Sequence, residues 1–588
     1  MRILVYPALK ETEGSGHLRR SLMLIDELGD DAQLLYDEPD RSRDKLLRSL
    51  GFSTGSPRVR RRLEAGDAWD LIALDRRETA REEIERLEKL GCVVGLDEGG
   101  ALRSTLPFLI DTLPGGLARH KPNVRAIQLP AYPQAGKEKN KLSFRKALVS
   151  FGGEDAAHLS ERLLELLLRV DYGFHSITVV EGPLFGSRSW PPGVKVLRSP
   201  HQLVDLLPGY DLVFCSFGLT CFEALAAKVP VILFNPRDLH RRLSRSMNLP
   251  EIGVGSPNAG KLRRLLARPD HLNSCLGLAA ELVASPEQRL PVLLRSLNPP
   301  RHIRCPLCGS EYGPALARFP RRTYVRCRNC GLIYLLSFAP GRDGYEKEYF
   351  FEEYRRQYGR TYLEDFPTIK RRAAGRLKRI GRLLADGKFG EKRLLDVGGA
   401  YGAFQQAAQE AGYSTMGLDI SRESCSYVRE KLGLQCLQGD FETTRKLAAE
   451  RFDVLTMWFV IEHFRSLAGV LKQAARLLRT GGVFAFSTPN GSGISARINR
   501  EAFLRASAGD HYTIWVPSRV KQQLARFGFK VVETRVTGHH PERFPLPAGL
   551  RAAAGPLLKT ASRALRLGDT FEVYAVKTTT AGSIHAGG

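Results

Sequence analysis

The stretch RLLDVGGAYGAFQQAAQEAGYSTMGLDIS, residues 393–421, decides the fold of the C-terminal half of the chain. The apolar run from Arg393 to Val397 predicts a buried strand, and the glycine-rich turn and helical pattern after it lead to a second strand that ends at Asp419. This order is typical of a βαβ unit. In such a unit the turn lets a ligand approach the backbone, and an acid at the end of the second strand can bind a ribose diol.

The turn itself has the pattern DxGxxxG, with Asp396 on the strand and Gly398 and Gly402 in the turn. It differs from the GxGxxG of dinucleotide enzymes, so it predicts no pyrophosphate cradle, whereas a small nucleoside that carries an amino acid would fit. A third strand ends at Gly439-Asp440, and RFDVLTMWFVIEHF and GGVFAFSTPN continue the series. Acids at successive strand ends favour a ligand-binding Rossmann-like domain.

Candidate proton-transfer residues follow the fourth strand of this series. Glu462-His463 lie at its carboxyl end, where open α/β sheets bind ligands, and His511 opens the segment HYTIWVP, which we predict is an active-site loop. Histidine is the usual general base near neutral pH. The alternative for both histidines is a structural role, in which a ring hydrogen bond orients the loop.

Residues 300–580 resemble the class I S-adenosylmethionine (SAM) methyltransferases that carry an N-terminal zinc ribbon and are often associated with bacterial glycan synthesis. The matching pieces are CPLCGS…CRNCGLIY, EYFFEEY…TYLEDF, LLDVGGAYGAF, GLDIS, GDFE, FDVLTMWFVIEHF, LLRTGGVFAFSTPN and HYTIWVP. The resemblance implies that Asp419 binds the ribose and that Asp440 lies near the adenine. It also implies that the methionine moiety is framed by Asp396, Gly398, Gly399 and Gly402. One departure is Ala400, where many members have a second glycine, and a small residue there still permits close approach.

Two CxxC pairs, Cys305/Cys308 and Cys327/Cys330, precede this domain and are separated by 18 residues. The spacing predicts a zinc ribbon, in which four thiolates complete a closed tetrahedral site. Because such a site has no open coordination position, we expect structural Zn²⁺ rather than a catalytic ion. The ribbon is predicted to cap the substrate side of the methyltransferase and to join it to the upstream lobes.

The N-terminal half shows two further α/β patterns. MRILVYPALKETEGSGHLRRSLMLIDEL reads as a strand, a glycine-rich loop with Gly14 and Gly16, and a helix that starts at His17, where the helix dipole favours a neutral imidazole that accepts a proton. KALVSFGGED predicts a strand that ends in Gly152-Gly153. In the later DLVFCSFGLTCFEALAAKVPVILF, Thr220 lies at a helix N-terminus that suits a diphosphate, and Glu223 lies one turn further in.

Residues 1–296 resemble the two-lobed GT-B proteins, particularly the UDP-sugar hydrolases of the pseudaminic-acid pathway. The pieces that match are EGSGHLRR, LIALD, FGGED and FGLTCFEALAAKVPVI. The resemblance implies that His17 activates water and that Gly152, Gly153, Thr220 and Glu223 hold the nucleotide. The hydrolases usually have an Asp-His-Tyr turn where this chain has Asp75-Arg76-Arg77-Glu78, so hydrolysis, sugar transfer and binding without turnover all stay open.

Charge and cysteine usage limit the partners. The chain has 588 residues, 88 Lys+Arg against 63 Asp+Glu, and a formal charge of +25, which favours anionic partners. The basic residues are scattered, so we expect no specific nucleic-acid partner. We expect no signal peptide and no transmembrane segment, although peripheral membrane contact is open. The remaining cysteines lack a disulfide framework, which indicates reduced thiols and a cytoplasmic protein.

These observations predict an α/β chain with two GT-B-like Rossmann lobes, a small zinc ribbon and a class I Rossmann-like methyltransferase domain. The predicted boundaries are 1–134 for the first lobe, 135–146 for a linker, 147–297 for the nucleotide-binding lobe, 300–336 for the ribbon, 337–388 for an aromatic and basic helical connector, 389–580 for the methyltransferase domain and 581–588 for a flexible tail.

The predicted function is that of a bifunctional enzyme of bacterial glycan or nucleotide-sugar metabolism. Its C-terminal half transfers a methyl group from SAM to a sugar or glycan intermediate, and its N-terminal half hydrolyses or transfers a UDP-linked sugar. One alternative is a nucleic-acid methyltransferase with a zinc-ribbon reader. The other is a methyltransferase fused to a nucleotide-sugar-binding module without turnover.

Overall fold

The computed structural model describes residues 1–9, 16–38, 41–49, 51–64, 66–112, 120–126, 144–155, 157–186, 188–200, 203–278, 289–300, 303–340, 354–355, 359–384 and 391–578. Predictions that lie outside these residues concern Gly14, 135–143 of the linker, 341–353, 356–358 and 385–388 of the connector, and the tail 581–588. The chain divides into two compact units. The first comprises Met1–Arg301 with Arg318–Arg321, and the second comprises His302–Ala317 with Arg322–Gly588.

The first sheet of unit 1 is seven-stranded, and all its neighbouring strands run parallel, in the order β3-β2-β1-β4-β5-β6-β7. Its strands are β1 Ile3–Pro7, β2 Ala32–Leu35, β3 Val59–Arg60, β4 Leu71–Asp75, β5 Cys92–Leu96, β6 Phe108–Asp111 and β7 Val124–Arg125. The helices are Gly16–Leu28, Arg41–Ser49 and Arg81–Leu87, with 3₁₀ turns at Gly29–Asp31 and Ala101–Ser104. Every residue of β1, β4 and β5 is buried, as expected for parallel strands covered on both faces.

The second sheet of unit 1 repeats this arrangement in the order β10-β9-β8-β11-β12-β13-β14, with only the last pair antiparallel. Its strands are β8 Lys146–Val149, β9 Ser176–Glu181, β10 Val194–Arg198, β11 Leu212–Cys215, β12 Val231–Asn235, β13 Glu251–Val254 and β14 Ser256–Pro257. The helices are Leu159–Arg169, Leu203–Leu206, Leu219–Ala226, Asp238–Ser246, Ala259–Leu266, Pro269–Ser274 and Leu290–Ser296, with 3₁₀ turns at Leu207–Gly209 and Cys275–Leu278.

The expected end of β8 needs a correction. The strand stops at Val149 rather than continuing to Gly152-Gly153. Gly152 has a φ of +85°, which lies outside the range of extended strand backbone, so the two glycines form a turn after the strand.

The main sheet of unit 2 has the order β20-β19-β18-β21-β22-β25-β24, in which β25 runs antiparallel to both of its neighbours. Its strands are β18 Arg393–Val397, β19 Ser414–Asp419, β20 Gln435–Gln438, β21 Phe452–Trp458, β22 Leu478–Pro489, β24 Phe529–Thr537 and β25 Thr570–Lys577. The helices are Tyr362–Leu384, Ala403–Glu410, Arg422–Leu432, Leu467–Leu477, Ile494–Ile498, Arg500–Ala506, Val520–Ala525, Ala548–Ala553 and Gly555–Ala564, with 3₁₀ turns at Ile461–His463 and Pro541–Arg543.

A small sheet ahead of this domain has the order β15-β16-β17-β23. Its strands are β15 Tyr312–Phe319, β16 Arg322–Cys327, β17 Ile333–Ser337 and β23 Thr513–Ile514. The short strand β23 belongs to the segment HYTIWVP and pairs antiparallel with β17, so this sheet joins the cysteine-containing hairpin to the C-terminal domain.

The predicted α/β class with parallel Rossmann-like sheets is confirmed, whereas a GT-B arrangement of the two N-terminal lobes stays a prediction. In the described part of the chain, no helix is both long enough and apolar enough to cross a membrane.

Candidate active sites

The glycine-rich turn after β18 is where the sequence predicts that a cofactor binds. Gly398 and Gly402 have φ values of +67° and +79°. A Cβ atom at Gly399 would stand 2.8 Å from Oδ2 of Asp396, so the approach to that carboxylate oxygen depends on the missing side chain. At Ala400, which departs from the family pattern, φ is +47° and the amide donates to Asp419 Oδ2 at 3.0 Å.

Asp396 is buried, and only one of its two carboxylate oxygens accepts a hydrogen bond from the described residues. The hydroxyl of Thr456, on the neighbouring strand β21, donates to its Oδ1 at 2.6 Å, while Oδ2 has no partner among the described residues. Burial raises the pKa of Asp396 to about 7, because it outweighs the opposing Thr456 hydrogen bond and the charge of Arg376. A buried carboxylate oxygen without a donor is uncommon, and the ammonium group of an amino-acid ligand would supply one.

The two other predicted acids differ from Asp396 and from each other. Asp419 is buried and accepts the amides of Ser421 at 2.8 Å and Ala400 at 3.0 Å, so its carboxylate ties the glycine turn to the end of β19. Burial raises its pKa against these hydrogen bonds. Asp440 is exposed and accepts from the amide of Glu442 at 2.9 Å, which makes it a turn former at the end of β20.

Tyr362 was missed by the sequence interpretation. It lies on the first turn of helix Tyr362–Leu384, and its ring centroid lies 5.8 Å from that of Tyr401, in the turn after β18. Burial raises the pKa of Tyr362, and the charges of Asp396 and Asp419 act in the same direction. The available signal was the aromatic segment TYLEDF, which was assigned to the connector.

The predicted residues Glu462, His463 and His511 come together beyond the end of β21. Their ligand atoms all lie within 4.8 Å of one another, and the two imidazole rings meet edge to face with centroids 4.8 Å apart. Asp510, which the sequence interpretation missed, places Oδ2 3.2 Å from Nδ1 of His463. These four residues are called the Glu462 cluster. The missed signal was the acid directly before His511.

Three side chains of the Glu462 cluster have pKa values shifted from their ordinary values. Burial raises the pKa of Glu462 to about 7. Burial and the neighbouring His463 lower the pKa of His511 to about 4. Burial lowers the pKa of His463, but the contact with Asp510 and the charge of Glu462 outweigh burial, so the pKa is raised. An acid with a raised pKa beside a neutral histidine and a carboxylate-paired histidine is a site suited to proton transfer.

The four cysteines form a compact cluster of sulfur atoms. Cys305 Sγ lies 3.6 Å from Cys330 Sγ, and Cys308 Sγ lies 3.4 Å from Cys327 Sγ. All four lie within 4.8 Å of one another. A tetrahedral Zn²⁺ with Zn–S bonds of about 2.3 Å separates its sulfurs by about 3.8 Å, so the donor set and its dimensions fit zinc.

The cysteine cluster is physically connected to the Glu462 cluster. The carbonyl of Tyr512, next to His511, accepts from the amide of Leu335 at 2.9 Å, and Ile514 pairs with Ile333 close to the second CxxC knuckle. Gln523 also donates to the carbonyl of Cys330 at 3.1 Å. The ribbon therefore positions the backbone of the histidine loop.

In unit 1, His17 is part of a buried ionic network at the end of β1 and β4. Its Nδ1 lies 2.6 Å from Oδ1 of Asp75, which also forms an ion pair with Arg20. Arg20 in turn donates to Asp97 at 2.6 Å. Burial acts to raise the pKa of Asp75, but Arg20 and His17 outweigh it and hold that pKa well below its usual range. The carboxylate therefore stays ionised and fixes the imidazole through Nδ1, which leaves Nε2 for other chemistry.

The predicted nucleotide residues of the second lobe lie at the ends of β8 and β11. Gly152 and Gly153 form the turn after β8, and Thr220 lies on the first turn of helix Leu219–Ala226, which starts after Gly218. Glu223, on the same helix, is 1% exposed, and neither carboxylate oxygen has a partner among the described residues. Burial raises its pKa against the charge of Arg19.

Residues of the two lobes of unit 1 influence one another electrostatically. Arg19 lies on the helix that begins with Gly16 and His17, and its charge opposes the raised pKa of Glu223. His240, a residue of the second lobe that the sequence interpretation missed, has its pKa lowered to about 4 by burial and by the charges of Arg77 and Arg237. The first turn of that helix therefore faces the second lobe.

Comparisons with known proteins bear on the C-terminal region. Residues 368–534 match the family model described as a methyltransferase domain, so this region matches a class I SAM-dependent methyltransferase domain. Similar proteins include the ubiquinone biosynthesis O-methyltransferases of Idiomarina loihiensis, 31% identical over 144 residues, and Nitrosomonas europaea, 30% identical over 146 residues. These matches cover 23% and 24% of this chain and 56% and 59% of those proteins. The chain thus spans little more than half the length of these relatives.

Two solved structures and one further protein complete the comparison. A SAM-dependent methyltransferase from Archaeoglobus fulgidus is 15% identical with a TM-score of 0.30, covering 39% of this chain and 100% of that chain. Magnesium protoporphyrin IX methyltransferase from Synechocystis with bound SAH is 15% identical with a TM-score of 0.28, covering 40% and 98%. An uncharacterized protein of Methanocaldococcus jannaschii is 32% identical over 115 residues, 18% of this chain and 23% of that protein.

The first prediction concerns the half-satisfied carboxylate. Asp396 is protonated below about pH 7, and the neutral acid does not attract the ammonium group of SAM. We therefore expect the Kd for SAM, measured by calorimetry, to rise by up to about tenfold per pH unit below that value. Asp396→Asn should weaken binding and flatten this dependence. The matched control is Asp453→Asn, which changes a buried carboxylate near the start of the neighbouring strand β21 that accepts a hydrogen bond from the amide of Arg393. A Kd for the unaltered protein that stays constant across neutral pH would contradict the assignment.

The second prediction concerns the cysteine cluster. We expect about one zinc per chain in the purified protein, measured by atomic absorption. Cys305→Ser should lose the metal and lower the thermal stability of unit 2, because β17 supports β23. Cys92→Ser, which changes a buried free thiol elsewhere in the chain, should keep it. Metal-free protein with four freely reactive thiols would exclude the zinc ribbon.

Proposed function

We propose that unit 2 transfers a methyl group from SAM to a sugar or glycan intermediate. The observation that carries this proposal is the common location of two kinds of group. The strand-end acids Asp396 and Asp419 lie on one side of the point where the strand order reverses, between β18 and β21, and the Glu462 cluster lies on the other. Such a point is where open α/β sheets bind their ligands.

Cofactor binding is assigned to the first group. SAM supplies a methyl group that is already activated on a sulfonium sulfur, so the protein has to align an acceptor and exclude water. The free Oδ2 of Asp396 is suited to the amino group of the methionine moiety, beside the open backbone at Gly399. Asp419 keeps lone pairs for the ribose hydroxyls while it holds the turn in place.

Proton transfer is assigned to the second group. Asp510 contacts Nδ1 of His463, so the opposite ring nitrogen is the one available to an acceptor hydroxyl. In this role His463 takes the hydroxyl proton as the oxygen attacks the methyl group. His511 is neutral near physiological pH and suits a hydrogen bond to the acceptor, while buried Glu462 stabilises the imidazolium that forms.

Relatives and sequence patterns indicate the class of acceptor. The two relatives are named as O-methyltransferases, which favours an oxygen acceptor. The resemblance to ribbon-headed enzymes of glycan synthesis favours a sugar. A nucleic-acid acceptor is less favoured, because the segment after β21 reads WFVIEHF rather than the Asn/Asp-Pro-Pro-aromatic turn of many base-amine methyltransferases. None of the ten cysteines, all of which lie within the described residues, forms a disulfide, which supports a cytoplasmic location.

The third prediction tests the base. His463→Ala should lower kcat by about 10²- to 10⁴-fold while SAM affinity stays within a factor of about two. Asp510→Asn removes the group that raises the pKa of His463, so the rising limb of the pH–rate profile should move to lower pH. The matched control is His539→Ala, whose ring bonds Ser562 at 2.8 Å. An unchanged profile in Asp510→Asn would contradict the pairing. SAM hydrolysis or transfer to a panel of hydroxyl acceptors gives the rate.

We further propose that unit 1 binds a nucleotide sugar between its two lobes and hydrolyses or transfers the sugar. Two observations support this proposal: the oxygens of buried Glu223, in one lobe, have no partner among the described residues, and Asp75 orients the ring of His17 in the other lobe. A ribose diol would donate to both oxygens of Glu223. His17, held through Nδ1, is suited to take a proton from water or from an acceptor hydroxyl.

The fourth prediction separates turnover from binding. Glu223→Gln should weaken UDP-sugar affinity by about 10-fold or more, because a charged hydrogen-bond acceptor contributes about 1.5–3 kcal/mol. His17→Ala should leave affinity intact and remove turnover. Glu181→Gln is the control, since that carboxylate bonds Arg198 at 2.9 Å near the surface. Affinity without turnover in the unaltered protein would favour the binding-module alternative, and no affinity at all would reject the nucleotide-sugar assignment.

A further inference from the structure

A helical hairpin between β24 and β25 has almost no buried side chains. It comprises the 3₁₀ turn Pro541–Arg543 and the helices Ala548–Ala553 and Gly555–Ala564, and residues 541–566 are called the C-terminal hairpin. Among its described side chains, only that of Ser562 is buried. Helices this short are marginal in water unless an apolar face packs against something. The hairpin therefore lacks the packing partner that would normally stabilise it.

The exposed side chains of the hairpin include large apolar ones. The exposed fractions are 38% for Leu546, 60% for Leu550, 75% for Leu557 and 64% for Leu565. The last two exceed every other exposed large hydrophobic side chain in the described part of the chain. Leucines clustered on one projecting element, rather than scattered singly, indicate a surface that another apolar phase covers.

The hairpin carries a net positive charge. Residues 541–566 contain five basic residues and one acid, Glu542. Arg543 is paired with Asp569 at 2.6 Å. Within the described residues the other four have no carboxylate partner, and they are Arg551, Lys559, Arg563 and Arg566. In the described part of the chain, Arg551 and Arg566 donate only to backbone carbonyls, those of Glu542 and Thr534, so their charges are not neutralised. Cations without a carboxylate partner, between exposed leucines, complement an anionic interface that has an apolar layer beneath it.

The base of the hairpin is anchored near the candidate methyl-transfer site. Asn490, directly after β22, donates to the carbonyl of Gly568 at 2.7 Å, and its amide donates to the carbonyl of Asp569 at 2.8 Å. The next amide, of Gly491, donates to the carbonyl of Trp515 in the loop that begins with His511. The hairpin therefore projects from the same sheet edge that carries the Glu462 cluster.

We propose that the C-terminal hairpin docks on the surface of a bilayer that contains anionic phospholipid. Its leucines enter the boundary between headgroups and acyl chains, and its four unpaired cations contact the phosphates. A second copy of the chain is disfavoured, because two such hairpins would bring like charges together. A nucleic acid would neutralise the cations but leave the leucines in water. The proposal is independent of the methyl-transfer chemistry.

The fifth prediction tests this surface with the full chain. In co-sedimentation, the protein should bind vesicles of phosphatidylcholine with phosphatidylglycerol, and much less to phosphatidylcholine alone. The binding should weaken as salt rises. The triple variant Leu550→Ser, Leu557→Ser, Leu565→Ser should reduce the partition coefficient by about tenfold or more. The variant Arg551→Gln, Lys559→Gln, Arg563→Gln should do the same.

A control variant tests whether the effect is specific to the hairpin. Leu168→Ser, Leu206→Ser, Val292→Ser changes three exposed apolar side chains outside the hairpin and should bind vesicles like the unaltered protein. Because the substituted hairpin leucines are exposed, the thermal unfolding temperature should stay within a few degrees in both triple variants. Failure of the unaltered protein to bind anionic vesicles, or equal binding by the hairpin variants, would overturn the proposal. Two other results would also overturn it. One is a dimer, seen in sedimentation velocity, that the hairpin substitutions abolish. The other is RNA binding that these substitutions abolish, in a protein that does not bind vesicles.

Discussion

Each of the three large sheets is constrained by the same reversal of strand order. In each sheet the first strand lies in the middle, the next two strands follow on one side, and the later strands lie on the other side. The order therefore reverses between β1 and β4, between β8 and β11, and between β18 and β21. Right-handed crossovers then send the loops after the two central strands to opposite faces, which leaves a crevice between them. The buried His17–Asp75 pair and the turn before Thr220 lie at such strand ends, as do Asp396, after β18, and the Glu462 cluster, after β21.

The buried carboxylates at these crevices fall into two groups, and their neighbours make the difference. Asp75 and Asp453 are as buried as any, but arginines and backbone amides satisfy them. Asp396 and Glu223 have oxygens without a partner among the described residues, and burial raises their pKa. Leaving a buried acceptor unsatisfied costs about 1–3 kcal/mol. A ligand that donated hydrogen bonds to these oxygens would therefore stabilise the folded protein.

The cysteine-containing hairpin also helps to position the loop that carries His511. Its strand β17 pairs with β23, which belongs to the C-terminal domain and begins two residues after His511. The position of the histidine loop is therefore coupled through backbone hydrogen bonds to the geometry of four sulfur atoms. A metal that closes this cluster would stiffen the loop, since ligand binding and local folding share one free energy.

Sequence alone determined the elements whose signals are local. Strand β18, the end of β19 at Asp419 and the two cysteine knuckles follow from apolar runs, turn glycines and CxxC spacing, all of which act within a few residues. The end of β8 was misplaced by a few residues, because apolar pattern does not report φ at Gly152.

Tertiary structure decided which groups act together. The pairs His17–Asp75 and His463–Asp510 join residues that are 58 and 47 positions apart in the sequence. The contact between Tyr362 and Tyr401 likewise depends on how separate elements pack. Whether a buried carboxylate is satisfied or left open depends on those distant donors. No local pattern encodes that balance, because burial and Coulomb interactions act through space rather than along the chain.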